Sequence, residues 1–307
     1  MNRSPPEAAS IVTIVVAADE ADGRLDTVVA KRASLPRAVV RRLCESGRVR
    51  RGTTGARLSA GDRLTAGETI HVRLGTWLEP RDAPLSVLHE DTDVVVVDKP
   101  AGLVCHPLTP NEADSVLHRL VARFPETATA SPDPREGGLV HRLDTTTSGC
   151  LAAARSTTAW TALRAAIDDA DKVYLALVAG DARALHGQAL VAPIDHDRRD
   201  RRRMCVHAEG QACTTSIAVL DVGEAPSPGR VSLVRLGLSG GRRHQLRVHL
   251  SHAGHPIVGD ALYGGPPWAR VALHAWRLRL PGRAVVEAPV PDELRQLCSA
   301  TSLVVPR

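Results

Sequence analysis

Aromatic rings are scarce in this chain. Its 307 residues include one phenylalanine, two tyrosines and four tryptophans, too few for a stacking platform of the kind that grips single-stranded nucleic acid. Long apolar runs are missing too, and nothing approaches the roughly 18 residues of a membrane span. The short apolar run at 11–18 follows Pro5, Pro6 and Glu7, with Arg3 the only base nearby. It is expected to be a first strand rather than a signal peptide. Six cysteines, at 44, 105, 150, 205, 213 and 298, are scattered without a Cys-x-x-Cys pair. That pattern predicts reduced thiols in a cytoplasm. Gly-x-x-x-x-Gly-Lys-[Ser/Thr], Gly-x-Gly-x-x-Gly and His-Glu-x-x-His are all absent, so no phosphate-loop, dinucleotide or zinc-protease motif is on offer.

What is present is ordinary in bulk and uneven in detail. With 43% apolar and 24% charged residues, the chain can bury a full core and is expected to hold two domains, one of them small. The net charge of +5 is concentrated: residues 22–74 carry twelve Lys or Arg against five acids, or +7, leaving −2 elsewhere. Such a concentration suits a phosphate backbone, although a solvated basic face has the same composition.

The patterning predicts a strand near 11–17 and a helix from the face Leu25, Val28, Val29 and Ala33. A second helix begins at Pro36 and stops at Gly47, with Arg37, Arg41 and Arg42 around its polar side. Short strands and turns follow to residue 72, and Pro80 and Pro84 mark residues 75–86 as a linker. Strands are then expected at 93–97, 150–154, 173–178, 216–220 and 231–238, and helices near 113–123, 157–168 and 244–253. Runs of strands with few helices predict an α+β domain with a mixed or antiparallel sheet. The run Arg198-Arg199-Asp200-Arg201-Arg202-Arg203 reads as an exposed basic loop.

The most informative segment is His141-Arg142-Leu143-Asp144-Thr145-Thr146-Thr147-Ser148-Gly149. It sets one carboxylate beside cationic side chains in a turn-rich stretch. A carboxylate there stays ionised, which suits a nucleophile or an electrostatic stabiliser. An aspartate capping the amides of its own turn would look the same. Four histidines (His244, His249, His252, His255) lie close together, but their spacing fits a helix ending at Gly254 better than a zinc site.

His-Arg-Leu-Asp-x-x-Thr-Ser-Gly is similar to the signature of the RluA-type pseudouridine synthases. Three more ordered blocks resemble that family: Val95-Val96-Val97-Asp98-Lys99-Pro100-Ala101-Gly102-Leu103, Lys172-Val173-Tyr174-Leu175-Ala176-Leu177-Val178-Ala179-Gly180, and Gly241-Arg242-Arg243-His244-Gln245-Leu246-Arg247-Val248-His249-Leu250 with Gly254-His255-Pro256-Ile257-Val258-Gly259-Asp260. The resemblance implies that Asp144 is the catalytic aspartate, attacking the nucleotide or abstracting a sugar proton. It implies that Arg247 pairs with Asp144, and that Tyr174 packs on the target base and takes or relays its carbon-5 proton. Arg142 would fill the space left by a flipped uridine, with His141 and Arg242 as further RNA contacts. Neither cofactor nor metal is implied.

Residues 22–74 resemble the RNA-binding domain named after ribosomal protein S-four, through Gly23-Arg24-Leu25-Asp26, Leu35-Pro36-Arg37 and Gly47-Arg48-Val49. Arg37, Arg41, Arg42 and Arg48 would then contact RNA. The expected layout is a small basic domain at 11–74, the linker at 75–86 and a synthase domain at 87–303. The expected protein is a monomeric cytoplasmic enzyme acting on large-subunit ribosomal RNA. Alternatives are a transfer-RNA-specific synthase, a silent ribosome-assembly factor, and a glycosidase, which would normally need a second carboxylate. Departures from the family pattern are Cys150, Gly240, Arg243 and the Arg50-Arg51-Gly52 turn.

Overall fold

The apolar core divides between an amino-terminal cluster and the clusters on the two faces of a large sheet, each formed where strands with alternating or continuous β-branched residues meet helices. A computed structural model describes residues 10–45, 47–74, 78, 80–108, 114–133, 135–225 and 229–306. In the first cluster, β1 (Ser10–Val15) is followed by α1 (Leu25–Arg32), α2 (Arg37–Glu45), β2 (Val49–Arg51) and β3 (Thr69–Leu74). The strands pair antiparallel in the order β1-β3-β2. Leu25, Val28, Val29, Val40 and Leu43 come from helix positions three and four apart, and they pack on Val49, Ile70 and Val72 of the sheet. Gly47 ends α2 with φ 67°, and a side chain there would meet the Arg57 guanidinium.

The remainder builds one large sheet. In chain order come β4 (Ser86–Glu90), β5 (Val94–Lys99), α3 (Val116–Arg123), β6 (Ser148–Ala154), α4 (Thr157–Ala165) and β7 (Asp171–Ala179). They are followed by β8 (Ala189–Val191), β9 (Ile194–His196), β10 (Met204–Val206), β11 (Thr214–Ala225), β12 (Gly229–Ser239) and α5 (Gln245–His252). The chain closes with β13 (Leu273–Arg279), β14 (Val285–Glu287) and α6 (Asp292–Ala300). The sheet runs β4-β5-β6-β13-β7-β12-β11-β8, with β14 added on β13, while β9 and β10 form a separate hairpin. All its pairings are antiparallel except β6 with β13. The fold is α+β with a mixed sheet.

Burial on both faces explains the unbroken apolar runs at the sheet centre. Val95, Val97, Leu151 and Ala153 face one cluster, and Val94, Val96, Cys150 and Ala152 face the other. Cys150, a departure from the family pattern, packs as a small apolar residue, and burial pushes its thiol up to about 12. Gly149 lets β6 approach β13: with φ 113°, an added Cβ would lie 2.1 Å from the Ala275 carbonyl oxygen.

The sequence reading differs from the structure at several points. It passes over β13, β14 and α6. In β13 both faces are covered, so no two-residue alternation survives to be read. The segment 75–86 is not a loose tether along its length. Leu78 is buried in the main core, the Arg81 N–H donates to the His118 carbonyl, and Ser86 already belongs to β4. Residues 75–77 and 79 lie outside the described residues. No described helix is long and apolar enough to cross a membrane.

Candidate active site

Asp144 sits in the loop that leads into β6, and that loop is held from three directions. The Thr147 N–H donates to the Asp144 carbonyl and closes a turn around it. From below, the Lys99 ammonium donates to the Thr145, Leu103 and Pro100 carbonyls at 3.0, 2.7 and 2.9 Å. The Leu143 N–H donates to Cys105 Sγ at 3.2 Å. From the side, Trp160 and Arg164 of α4 donate to the Leu139 and Val140 carbonyls at 3.0 and 3.1 Å. Lys99 is fully buried, and burial lowers its pKa to about 8 despite the nearby Cys105 and Asp144. Its hydrogen bonds all reach carbonyls, so it acts as a tie between the β5 turn and the Asp144 loop.

The Asp144 side chain lies in a cleft of about 200 Å³ shared by this loop, β7 and the start of α5. Arg247 rises from the buried side of α5 and donates from Nη1 to Asp144 Oδ2 at 3.2 Å. Its other two donors reach Asp260 at 2.6 and 2.7 Å, a bidentate contact. Burial opposes the Arg247 charge, but Asp260 outweighs it and the pKa is raised. Arg247 is only 6% exposed, which removes the reading of it as a helix-surface residue. Asp260 follows Gly259, whose φ of 82° and contact with the Arg270 carbonyl leave no room for a Cβ.

Tyr174 enters from the centre of β7, paired with Leu236 of β12 and Ala275 of β13. Its ring lines the cleft. Burial, reinforced by Asp144, pushes the phenol pKa up, so it is protonated at neutral pH. Lys172, two residues earlier on the same strand face, also lines the cleft. Arg142 and Arg242 stand exposed at the rim, and neither guanidinium has a hydrogen bond or ion pair among the described residues.

Several residues expected to contact RNA are engaged otherwise. His141 accepts from the Ala152 N–H through Nε2 at 3.1 Å. Burial, with Lys172 and Arg164 nearby, lowers its pKa to about 3. It is therefore neutral, ties the loop to β6 and brings no charge to a phosphate. Arg37 and Arg41 converge with Arg24 on the enclosed carboxylate of Asp26, at 3.0, 3.1 and 3.1 Å respectively. Arg48 is half-buried just before β2, and the Arg42 side chain lies outside the described residues. Arg243 donates to the Arg202 carbonyl at 3.1 Å, linking α5 to the turn of the β9–β10 hairpin. That turn carries the 198–203 arginine run, with Arg198, Arg199, Arg201 and Arg202 exposed.

Three of the four clustered histidines take separate contacts, and His252 is exposed. His249 bonds the Thr215 hydroxyl and the Ala192 carbonyl, His255 bonds the Ala179 carbonyl, and His244 bonds the Tyr263 hydroxyl. Sequence reasoning passed over Lys99, Asp260 and Tyr263. The only available signal for Asp260 was its place at the end of a quoted block, with nothing to join it to Arg247.

This constellation can hold an ionised carboxylate against a fixed cation, beside a buried phenol, under a cationic rim. Known proteins resemble this chain over most of its length. The RNA pseudouridylate synthase family profile matches residues 93–252. Ribosomal large subunit pseudouridine synthase D of Xanthomonas campestris pv. campestris is 39% identical over 268 residues, 78% of this chain and 77% of that protein. The protein of the same name from Yersinia pestis is 35% identical over 72% of each chain. The solved structure of human RNA pseudouridylate synthase domain containing 1 matches with a TM-score of 0.56 and 29% identity, covering 73% of this chain and 90% of that one. The chain thus belongs to the RNA pseudouridylate synthase family, enzymes that isomerise uridine to pseudouridine.

Proposed function

We propose that this enzyme modifies a uridine of large-subunit ribosomal RNA, with Asp144 as the reacting carboxylate, Arg247 as its counter-ion and Tyr174 as the surface against the base. The observation that carries this reading is the Asp144–Arg247 contact at the floor of a cleft rimmed by unpaired arginines. The ribosomal target rests on the names of the relatives.

Isomerisation breaks the bond from N1 to the sugar, forms one from carbon 5, and moves a proton off carbon 5. Asp144 faces the sugar side of that exchange, where a carboxylate stabilises positive character at the anomeric carbon or bonds to it. Arg247 keeps the carboxylate aimed, through its Nη1 contact to Oδ2. The raised pKa of Tyr174 supports packing on the base over proton abstraction by a phenolate. The target must leave its stack to reach Asp144, at a cost of a few kcal/mol, and Arg142 stands free at the rim to enter the vacated space. Arg242 and the exposed arginines at 198–202 extend the cationic track outward. Residues 11–74 would act as a docking domain on structured RNA, which such domains recognise by backbone and shape.

The test compares Asp144→Asn with the parent on an unmodified large-subunit ribosomal RNA transcript. The variant should form no pseudouridine while its RNA affinity stays within about twofold, since the lost charge does not contact phosphate. Parental activity in the variant would remove Asp144 from the chemistry. Pseudouridine mapping of ribosomal RNA from cells with and without the gene would identify the site. An unchanged ribosomal map with a site lost from transfer RNA would redirect the substrate.

A further inference from the structure

His244 has no task in the chemistry above, yet it is held more tightly than its role as a helix-preceding residue requires. It joins β12 to α5 with φ 55° and ψ 17°. A non-glycine residue kept left-handed costs of order 1–3 kcal/mol and persists where its surroundings over-determine it. Asp22, Ser34 and Ser302 share a positive φ among the described residues, but of the four only His244 lines the cleft.

Its ring is fixed by a directional chain of donors. The Met204 N–H, at the start of β10, donates to the Tyr263 hydroxyl at 2.8 Å. That oxygen is then engaged as an acceptor, and its own proton is free to point at His244 Nδ1, 2.8 Å away. An imidazole accepting at Nδ1 carries its proton on Nε2 when neutral. Burial outweighs the pull of Asp144 and lowers the His244 pKa, which keeps the ring neutral. The Tyr263 ring meets the imidazole edge-on at 5.6 Å, and the Arg247 guanidinium lies 5.0 Å from the same tyrosine ring. His244 Nε2 is 3.9 Å from Asp144 Oδ2, the oxygen that Arg247 also contacts. No described side chain or amide donates to Asp144 Oδ1.

Resting on the reading of Asp144 as the reacting carboxylate, we infer that His244 is a positioning residue for it. It is a neutral Nε2–H donor, set in that tautomer by Tyr263, that joins Arg247 in claiming Oδ2 and leaves Oδ1 to meet the nucleotide. At 3.9 Å the contact is longer than a hydrogen bond; catalytic contacts of this length commonly tighten in a substrate complex. The residue with this left-handed backbone is the one whose ring lines the cleft beside Asp144.

The test uses single-turnover tritium release from a carbon-5-labelled large-subunit ribosomal RNA transcript at saturating protein, with RNA affinity measured separately. His244→Gly removes the ring at a backbone conformation glycine adopts freely. It should slow the step about 10- to 100-fold with RNA affinity within about twofold. His244→Gln places an amide N–H near the Nε2 position and should recover the rate to within about fivefold of the parent. Tyr263→Phe frees the tautomer and should slow the step about threefold or more. A parental rate in either His244→Gly or Tyr263→Phe would overturn the inference. So would a His244→Gln variant as slow as His244→Gly, or a loss of RNA affinity that accounts for the defect. Asp144→Asn run alongside separates the two levels. If it is inactive while His244→Gly is unaffected, only the positioning role falls; if it is active, the reading beneath falls too.

Discussion

The amino-terminal module and the synthase domain both build an arginine–aspartate cluster, but with opposite stoichiometry. In the module, the fully enclosed Asp26 gathers Arg24, Arg37 and Arg41, each about half exposed. One anion serves three cations, and the excess positive charge faces solvent. In the synthase domain, the nearly buried Arg247 stands between Asp144 and Asp260, so one cation serves two anions and the excess is negative. The first arrangement leaves positive charge facing solvent on side chains already fixed by a shared anchor, the ordering that a long side chain would otherwise have to undergo on binding. The second stores a charged carboxylate inside a cleft. Asp260 takes Nε and Nη2 of the arginine and leaves Nη1 for Asp144 Oδ2, so the Asp144 carboxylate is held by one of its two oxygens.

The largest effect should come from breaking the inner cluster. Arg247→Lys cannot span both carboxylates and should lower turnover about 100- to 1000-fold. Asp260→Asn keeps the shape but weakens the anchor, and should cost about 10- to 100-fold in the catalytic step with RNA affinity nearly unchanged. If Asp260→Asn instead loses stability and turnover in proportion, the anchor is merely part of the core and the contrast with Asp26 dissolves. Unfolding curves measured beside single-turnover rates distinguish these outcomes.

Acid should also separate the regions. His274 is fully buried, with its ring against the Ser148 hydroxyl and the Ala288 carbonyl, and burial lowers its pKa to about 4. The unfolded chain therefore binds a proton there below about pH 6.5 that the folded chain does not. Stability falls as pH drops from 6.5 toward 4, by up to about 3 kcal/mol for this residue. Asp26 works the other way round. Its arginines hold its pKa well below the usual carboxylate range, so its contribution is present above about pH 4 and is lost only in stronger acid. Fluorescence of Trp276, buried in the synthase core, should report unfolding at a higher pH than amide exchange in β3. His274→Asn should flatten the stability slope between pH 6.5 and 4. Simultaneous loss of both signals would show the two cores to be one cooperative unit.

Asp144, Arg247 and Tyr174 were legible as a candidate site only through motifs, since no periodicity could join Asp144 to an arginine 103 residues away. The helices α1 and α2 were visible because each has an apolar face and a recognisable start or stop, and α3, α4 and α5 fall where helical patterns are expected. What stayed hidden has a common physical character. Lys99 comes after four valines and Asp98, where a cation reads as the solvated end of a strand, but its ammonium turns inward to three carbonyls. His141 sits in a cationic motif, and only the fold shows its ring receiving an amide proton from β6. Arg37 and Arg41 looked like a free basic face because Asp26 reads as an ordinary first-turn acid of α1. In each case the missing knowledge is the identity of a partner distant in sequence, which decides whether a charge is spent internally or offered outward.

The outer cluster gives the smallest and most selective prediction. Asp26→Asn leaves three arginines around a neutral amide, so the cations lose their shared anchor and repel one another. Because those arginines are half exposed, solvent screens the loss, and stability should fall by only about 1–2 kcal/mol. From charge alone RNA affinity should rise, since the variant carries one more net positive charge. If the anchor matters for presentation, affinity should fall severalfold despite that gain, because three guanidinium groups must be ordered anew on each encounter. The salt dependence is the sharper readout. Removing residues 1–75 should flatten the slope of log affinity against log salt by several units, as the phosphate-neutralising charge goes with them. Asp26→Asn should leave that slope nearly intact, because the same cations still reach the same phosphates. A full-length slope unchanged by the truncation would mean that RNA is held by the synthase domain alone. The Asp26 cluster would then be a fold-stabilising feature of the module, and the contrast between presenting and storing charge would apply to one domain only.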